Sequence, residues 1–186
     1  MAVEWDSNLD GTVSGRKLPE KPKPIKVRQP LFSEIFTRVH KAKDKPDKIR
    51  ILKEEDCSAL RQICKWNFDP RIETELPSGN PPYIPNEAPE GTEHNNLSYE
   101  ARKLYHFIEG GNPSLSQNKR EAMFVQMLEG LHPDEADILV AAKDKQLHQK
   151  YKGLSANVVK EAFDWDDDYM LIEHGTYPQA PGAANG

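Results

Sequence analysis

The segment SQNKREAMFVQMLEGLHPDEADILVAAKDK, residues 116–145, decides the fold class. It contains two runs of apolar residues spaced three and four apart, which is typical of amphipathic helices. Ser116 suits the N-cap of the first helix, and Pro133 suits the first turn of the second. We therefore predict two consecutive helices whose inward side chains are Met123, Phe124, Met127, Leu128, Leu131, Ala136, Leu139 and Val140.

The same spacing recurs on both sides of this segment. It predicts helices over about 31–42, from Pro46, and over about 58–66 with Asp56 or Ser58 as the cap. Two more are predicted after Ser98 and Ser155. Strand-like alternation is nearly absent, so the predicted fold is all-α, a compact bundle of about five to seven short helices with a long Pro-rich loop and flexible termini. The helix after Ser98 is predicted to place Leu104, Tyr105, Phe107 and Ile108 on one apolar side.

Glycine and proline divide the chain into three parts. We predict that residues 1–30 are an extended, basic and Pro-rich arm, that residues 31–163 are the helical domain, and that residues 164–186 are an acidic and then Gly/Ala/Pro-rich tail. The domain contains a long loop, residues 69–96, with six prolines. Tyr83 and Ile84 between these prolines favour an ordered strap over a disordered linker.

The charges are unevenly distributed. The chain has 186 residues, 37% hydrophobic and 30% charged, with a net charge of −5. Residues 1–53 carry 13 Lys/Arg against 7 Asp/Glu, whereas residues 54–186 carry 12 against 23. A basic front half can contact nucleic acid, but a solvated charged face is the preferred interpretation. No apolar run approaches the length of a membrane span, and Cys57 and Cys64 are expected to be buried free thiols.

Chemical motifs are weak. Residues 6–11 match the first half of a calcium loop, but Lys17 stands where the closing carboxylate belongs, so we favour an ordinary turn. His132 and Glu135 could include a general base, although a helix cap with first-turn acids is preferred. We expect no catalytic residue, no metal site and no cofactor.

Three segments outside the apolar stripes are candidates for binding a protein partner. The stretch from Asp164 to Ile172 mixes acids with large apolar side chains, which is typical of segments that dock on a basic-rimmed groove, but it could equally fold back on the core. The candidate contact residues are Lys21, Lys23, Lys26, Arg28, Tyr83, Ile84, Trp165, Tyr169 and Leu171. Arg102-Lys103 and Lys119-Arg120 could form a basic patch, with Tyr105 stacking on a base. This interpretation is not preferred, because Tyr105 is predicted to lie on the apolar stripe and the acids in the back half of the chain would repel phosphate.

Several short motifs carry a resemblance to a known family. They are LFSEI at 31–35, NFDP at 67–70, PYIPN at 82–86, RKLY at 102–105, LEGLH at 128–132, KDK at 143–145 and VVKEAF at 158–163. Residues 31–163 thereby resemble uncharacterised proteins of large contractile-tailed bacteriophages of marine bacteria, cyanobacteria especially. The resemblance implies a phage protein in the host cytoplasm or the virion. The family has no established activity from which site residues follow.

The sequence thus favours a non-enzymatic phage accessory protein that binds other proteins, either the phage replication or transcription machinery or a host target. The alternatives are a minor virion structural protein, whose arms wrap neighbouring subunits, and a nucleic-acid-binding accessory factor that uses the basic front. We expect no membrane association, and the oligomeric state is left open.

Overall fold

A computed structural model describes residues 28–89 and 94–172 of the chain. Within these ranges it contains eight α-helices, one 3-10 helix and only isolated β-bridges. The all-α prediction is confirmed. The predicted flexible termini lie mostly outside the described residues. In chain order the elements are α1 (Phe32–Lys41), α2 (Lys45–Glu54), α3 (Ser58–Phe68), α4 (Leu97–Glu100), the 3-10 helix (Ala101–Phe107), α5 (Gln117–Gly130), α6 (Pro133–Lys143), α7 (Leu147–Lys150) and α8 (Ala156–Ala162).

Helix α6 lies at the centre of the fold. It packs against α1, α3, α5 and α7, while α2 packs between α1 and α8. Pro133 occupies the first turn, and the His132 side chain accepts a hydrogen bond from the Asp134 amide, so the predicted cap is confirmed. One hydrophobic core joins all the helices, and its largest fully buried side chains include Phe36, Leu52, Leu60, Ile63, Phe107, Phe124, Leu128 and Leu131.

Helix α1 is tied to α6 through a buried carboxylate. The Ser33 amide, one of the α1 donors that lack an intrahelical partner, donates to Glu135 Oε1 at 3.0 Å. At the same end of α1, the Leu31 amide donates to Glu34 Oε2 at 2.8 Å. Glu135 was predicted to interact only with the dipole of its own helix. Its buried carboxylate also accepts a hydrogen bond from a free backbone amide at the start of α1.

The helix predicted after Ser98 differs from expectation. It begins as the single turn α4 and continues as a 3-10 helix, which has about three residues per turn. Ala101, Leu104 and Phe107 are therefore buried at intervals of three, while Tyr105 is 50% exposed. The prediction that Tyr105 lies on the apolar side was wrong because it assumed the 3.6-residue period of an α-helix.

Cys64 is a buried free thiol as predicted, whereas Cys57 differs from expectation. Helix α3 is capped by neither Asp56 nor Ser58: Cys57 Sγ accepts from the Leu60 amide at 3.5 Å. Cys57 is consequently half-buried, and only Cys64 is a fully buried free thiol, whose pKa is raised by burial. None of the helices in the described part of the chain is long and apolar enough to cross a membrane.

The described part of the Pro-rich loop, residues 69–89, crosses the surface as an ordered strap. Its first half pairs with the end of the 3-10 helix, since the Glu75 amide donates to the Phe107 carbonyl at 2.9 Å and the Glu109 amide to the Glu73 carbonyl at 2.8 Å. Lys143 Nζ donates to the Pro77 carbonyl at 2.7 Å. The Gly79 amide donates to Asp144 Oδ2 at 3.0 Å. The strap interpretation therefore describes residues 69–89 correctly.

Candidate functional site

The segment after α8 closes on itself as a tight turn, residues 164–172, which we call the C-terminal turn. Asp164 and Tyr169 have positive φ angles of 54° and 56°, which reverse the chain. The Asp166 amide donates to the Met170 carbonyl at 2.9 Å and the Ile172 amide to the Asp164 carbonyl at 2.8 Å. Asp166 Oδ1 accepts from two further amides of the turn, those of Asp168 and Met170. These bonds fix the backbone.

Two aromatic side chains anchor this turn in the core. Trp165 and Tyr169 are only 8% and 5% exposed. The Trp165 ring lies 5.0 Å from that of Phe163 and 6.0 Å from that of Tyr169, and the Arg61 guanidinium covers Phe163 and Trp165. Burial raises the pKa of the Tyr169 hydroxyl. The core therefore continues past Phe163, where the sequence placed the domain boundary.

The other large apolar side chains of the turn face solvent. Met170, Leu171 and Ile172 are 56%, 59% and 48% exposed, respectively. The acidic residues Asp166, Asp167 and Asp168 next to them are also exposed. The C-terminal turn thus presents three consecutive apolar side chains beside negative charge, on a backbone that is held in place.

The candidate contact residues of this segment divide into two groups. Trp165 and Tyr169 are buried, so the structure assigns them to the core rather than to a contact surface. Leu171 is exposed and stays a candidate, and Met170 and Ile172 join it. The composition of this segment fits docking and folding back equally well. The structure shows folding back for Trp165 and Tyr169 and leaves Met170, Leu171 and Ile172 exposed.

Tyr83 and Ile84 of the strap also differ in their exposure to solvent. Tyr83 is half-buried against the core, and burial together with the Asp137 carboxylate raises the pKa of its hydroxyl. Ile84 is 78% exposed, although its amide donates to Glu129 Oε1 at 3.1 Å. Tyr83 therefore anchors the strap to the core. Ile84 is exposed, and it lies on the strap whereas Leu171 lies on the C-terminal turn.

The structure describes only one of the four candidate contact residues of the basic arm. Lys21, Lys23 and Lys26 lie outside the described residues, as does the half calcium loop at 6–17. Arg28 is described, and its guanidinium contacts Glu34 Oε1 at 3.2 Å. Arg28 is thus engaged at the start of α1.

No described residues form a recognisable catalytic arrangement. The His132 ring accepts a hydrogen bond from the Asp134 amide, and the Glu135 carboxylate accepts one from the Ser33 amide. Burial raises the pKa of Glu135 to about 7, but the hydrogen bond ties this carboxylate to a helix start rather than to a nucleophile. In residues 28–89 and 94–172, no group of three or more His, Cys, Asp and Glu side chains is placed to hold a metal ion.

Comparison with protein families gives one match. The model of a family of unknown function, DUF6433, matches residues 35–149, from within α1 to within α7. The chain belongs to this family. The matched residues exclude α8 and the C-terminal turn, although both pack on the matched helices. No curated protein and no solved structure matches the chain.

Proposed function

We propose that this DUF6433 protein is a non-enzymatic accessory protein of a phage that acts by binding another protein through its C-terminal turn. The resemblance to proteins of contractile-tailed phages supports the phage source and makes the replication machinery, the transcription machinery or a host enzyme the candidate partner. The observation that carries the binding proposal is the exposure of Met170, Leu171 and Ile172 on a fixed backbone.

Exposed apolar side chains on a rigid backbone favour association. Contiguous apolar surface on a soluble protein commonly marks an interaction site, because covering it releases water. The buried Trp165 and Tyr169 and the bonds to Asp166 hold the turn before any partner arrives, so little conformational entropy is lost on binding.

The charges beside the turn indicate which kind of partner surface would be complementary to it. Asp166, Asp167 and Asp168 are exposed, and the Asp167 side chain is fully so even though Lys160 lies 3.2 Å away. A complementary surface would be an apolar groove bordered by Lys or Arg. The turn would enter this groove with its three apolar side chains.

Site-specific cross-linking during infection tests the proposal. A photoreactive amino acid replaces Leu171 in the full chain, and Ile84, equally apolar and more exposed, serves as the matched control position. We expect an adduct with one protein from position 171 only, abolished by Met170→Asp. With that protein purified, Leu171→Asp should weaken binding by about tenfold or more, the effect of a central contact residue.

Two outcomes would contradict the proposal. The first is the same set of adducts from positions 84 and 171, which would show only non-specific proximity. The second is unchanged binding of the purified partner by Leu171→Asp, which would move the interface away from the C-terminal turn.

A further inference from the structure

Helix α4 and the 3-10 helix that continues it carry a row of exposed planar side chains beside the row of buried ones. Because three residues make one turn of about 6 Å, side chains three apart are aligned. Tyr99, Arg102 and Tyr105 follow this interval, and the two tyrosines are 59% and 50% exposed. Two members of the row are in contact, since the Arg102 guanidinium lies over one face of the Tyr99 ring, 3.3 Å from its centre. We call this row the aromatic stripe.

The charge of Arg102 is available to a ligand. Lys103 pairs with Glu100 at 2.7 Å, and the buried Arg120 pairs with Glu75. Arg102 makes no ion pair in the described part of the chain, and its recorded partner is a tyrosine ring. An arginine stacked on a tyrosine keeps its full positive charge and its N–H donors.

The surroundings of the stripe are positive in an otherwise acidic half of the chain. Residues 94–120 carry four Lys/Arg against two Asp/Glu, whereas residues 54–186 together carry 12 against 23. Lys119 is exposed at the start of α5, directly before Arg120, whose Nε donates to the His106 carbonyl at 2.8 Å. His106 in turn stacks against Tyr105, with ring centres 4.0 Å apart. The stripe is thus bordered by positive charge and by a further planar ring.

We propose that the aromatic stripe binds single-stranded nucleic acid, with bases stacked on Tyr99 and Tyr105 and a phosphate held by Arg102. Exposed aromatic rings that alternate with a cation are the arrangement by which proteins bind unpaired bases without reading their sequence. A duplex keeps its bases stacked on one another and offers no free base faces to the tyrosines. This site is separate from the C-terminal turn and stands independently of the proposed protein partner.

Fluorescence anisotropy with the full chain tests this inference. The probes are labelled oligo(dT) and oligo(rU) of equal length, with a duplex of the same length for comparison. We expect saturable binding of at least one single strand, and the tighter of the two identifies DNA or RNA as the ligand. Tyr99→Ala or Tyr105→Ala should each weaken binding about fivefold or more, whereas Tyr99→Phe and Tyr105→Phe, which keep the ring, should stay within about twofold.

The role of Arg102 is tested by comparing Arg102→Gln with a control substitution of another exposed arginine. Arg102→Gln should lower the slope of log affinity against log salt by about 0.7, the contribution of one phosphate contact to a single strand. Arg50→Gln removes one exposed arginine of α2 and should leave both affinity and slope unchanged. Absence of saturable single-strand binding would overturn the inference. So would equal losses in Arg50→Gln and Arg102→Gln, tyrosine-to-alanine variants that bind like the native chain, or stripe variants that lose only a protein partner.

Discussion

The strap and the C-terminal turn both lack regular secondary structure, yet different forces hold them. Polar groups of other elements hold the middle of the strap, where Lys143 donates to the Pro77 carbonyl and Asp144 accepts from the Gly79 amide, and the partly buried Tyr83 adds an apolar contact. The C-terminal turn is fastened by its own aromatic residues, Trp165 and Tyr169, which enter the core. A segment outside the helices can therefore be ordered either by the hydrogen bonds it receives or by the apolar surface it buries.

The two modes differ in strength. A hydrogen bond to a charged group contributes a net of about 1.5–3 kcal/mol, because water competes for both partners. A buried aromatic side chain contributes more, since it removes a large apolar surface from water. We therefore expect the turn to be coupled to global stability and the strap to be able to loosen by itself. Four predictions, taken in order of decreasing effect, examine this difference.

Trp165→Ala should lower the free energy of unfolding by about 3–5 kcal/mol, the usual cost of removing a large buried aromatic side chain. Urea denaturation of the full chain measures it. A chain that ends at Phe163 should lose at least as much, because it also lacks Tyr169. A loss below about 1 kcal/mol would show that the turn contributes little to the core. The turn would then not be more strongly coupled to global stability than the strap.

Leu128→Ala should cost about 2–5 kcal/mol, because the side chain is fully buried on α5. This substitution sets the scale for a core position within a regular helix and is measured by the same denaturation curve. A change under about 0.5 kcal/mol would mean that this face of α5 is a surface, contrary to its burial.

Lys143→Met should cost about 1–3 kcal/mol, since it removes the ammonium donor of the Pro77 carbonyl and of Asp144 Oδ1. Hydrogen exchange should show faster exchange at the Gly79 amide, with little change in the amides of the C-terminal turn. The exposed Lys152→Met is the matched control. Equal acceleration in both segments would indicate that the strap is not an independent unit.

Leu171→Asp and Ile84→Asp should each change the free energy of unfolding by no more than about 0.5 kcal/mol, because both side chains are exposed. Thermal melts of both variants provide the measurement. A marked destabilisation by Leu171→Asp alone would show that this side chain is covered within the protein itself, and the proposed docking role would be lost with it.

The helices were predictable where a regular period repeats. Phe124 and Leu128 are buried as the spacing of α5 predicts, and His132 caps α6 as proposed. Tyr105 was misplaced because a switch from α to 3-10 geometry changes the period without changing the composition. The burial of Trp165 depends on Arg61, about a hundred residues earlier in the chain, and no local pattern reports such a contact.

The hydrogen bond between Ser33 and Glu135 also has a consequence for protein synthesis. The two residues are 102 positions apart, so α1 leaves the ribosome long before the carboxylate that completes its first turn exists. At the usual elongation rate of about 5–20 residues per second, this delay is roughly 5–20 s. During that interval Phe32, Ile35 and Phe36 have α2 as a neighbour but not α6. The nascent chain therefore carries an incompletely covered apolar stripe on α1 until α6 has been synthesised.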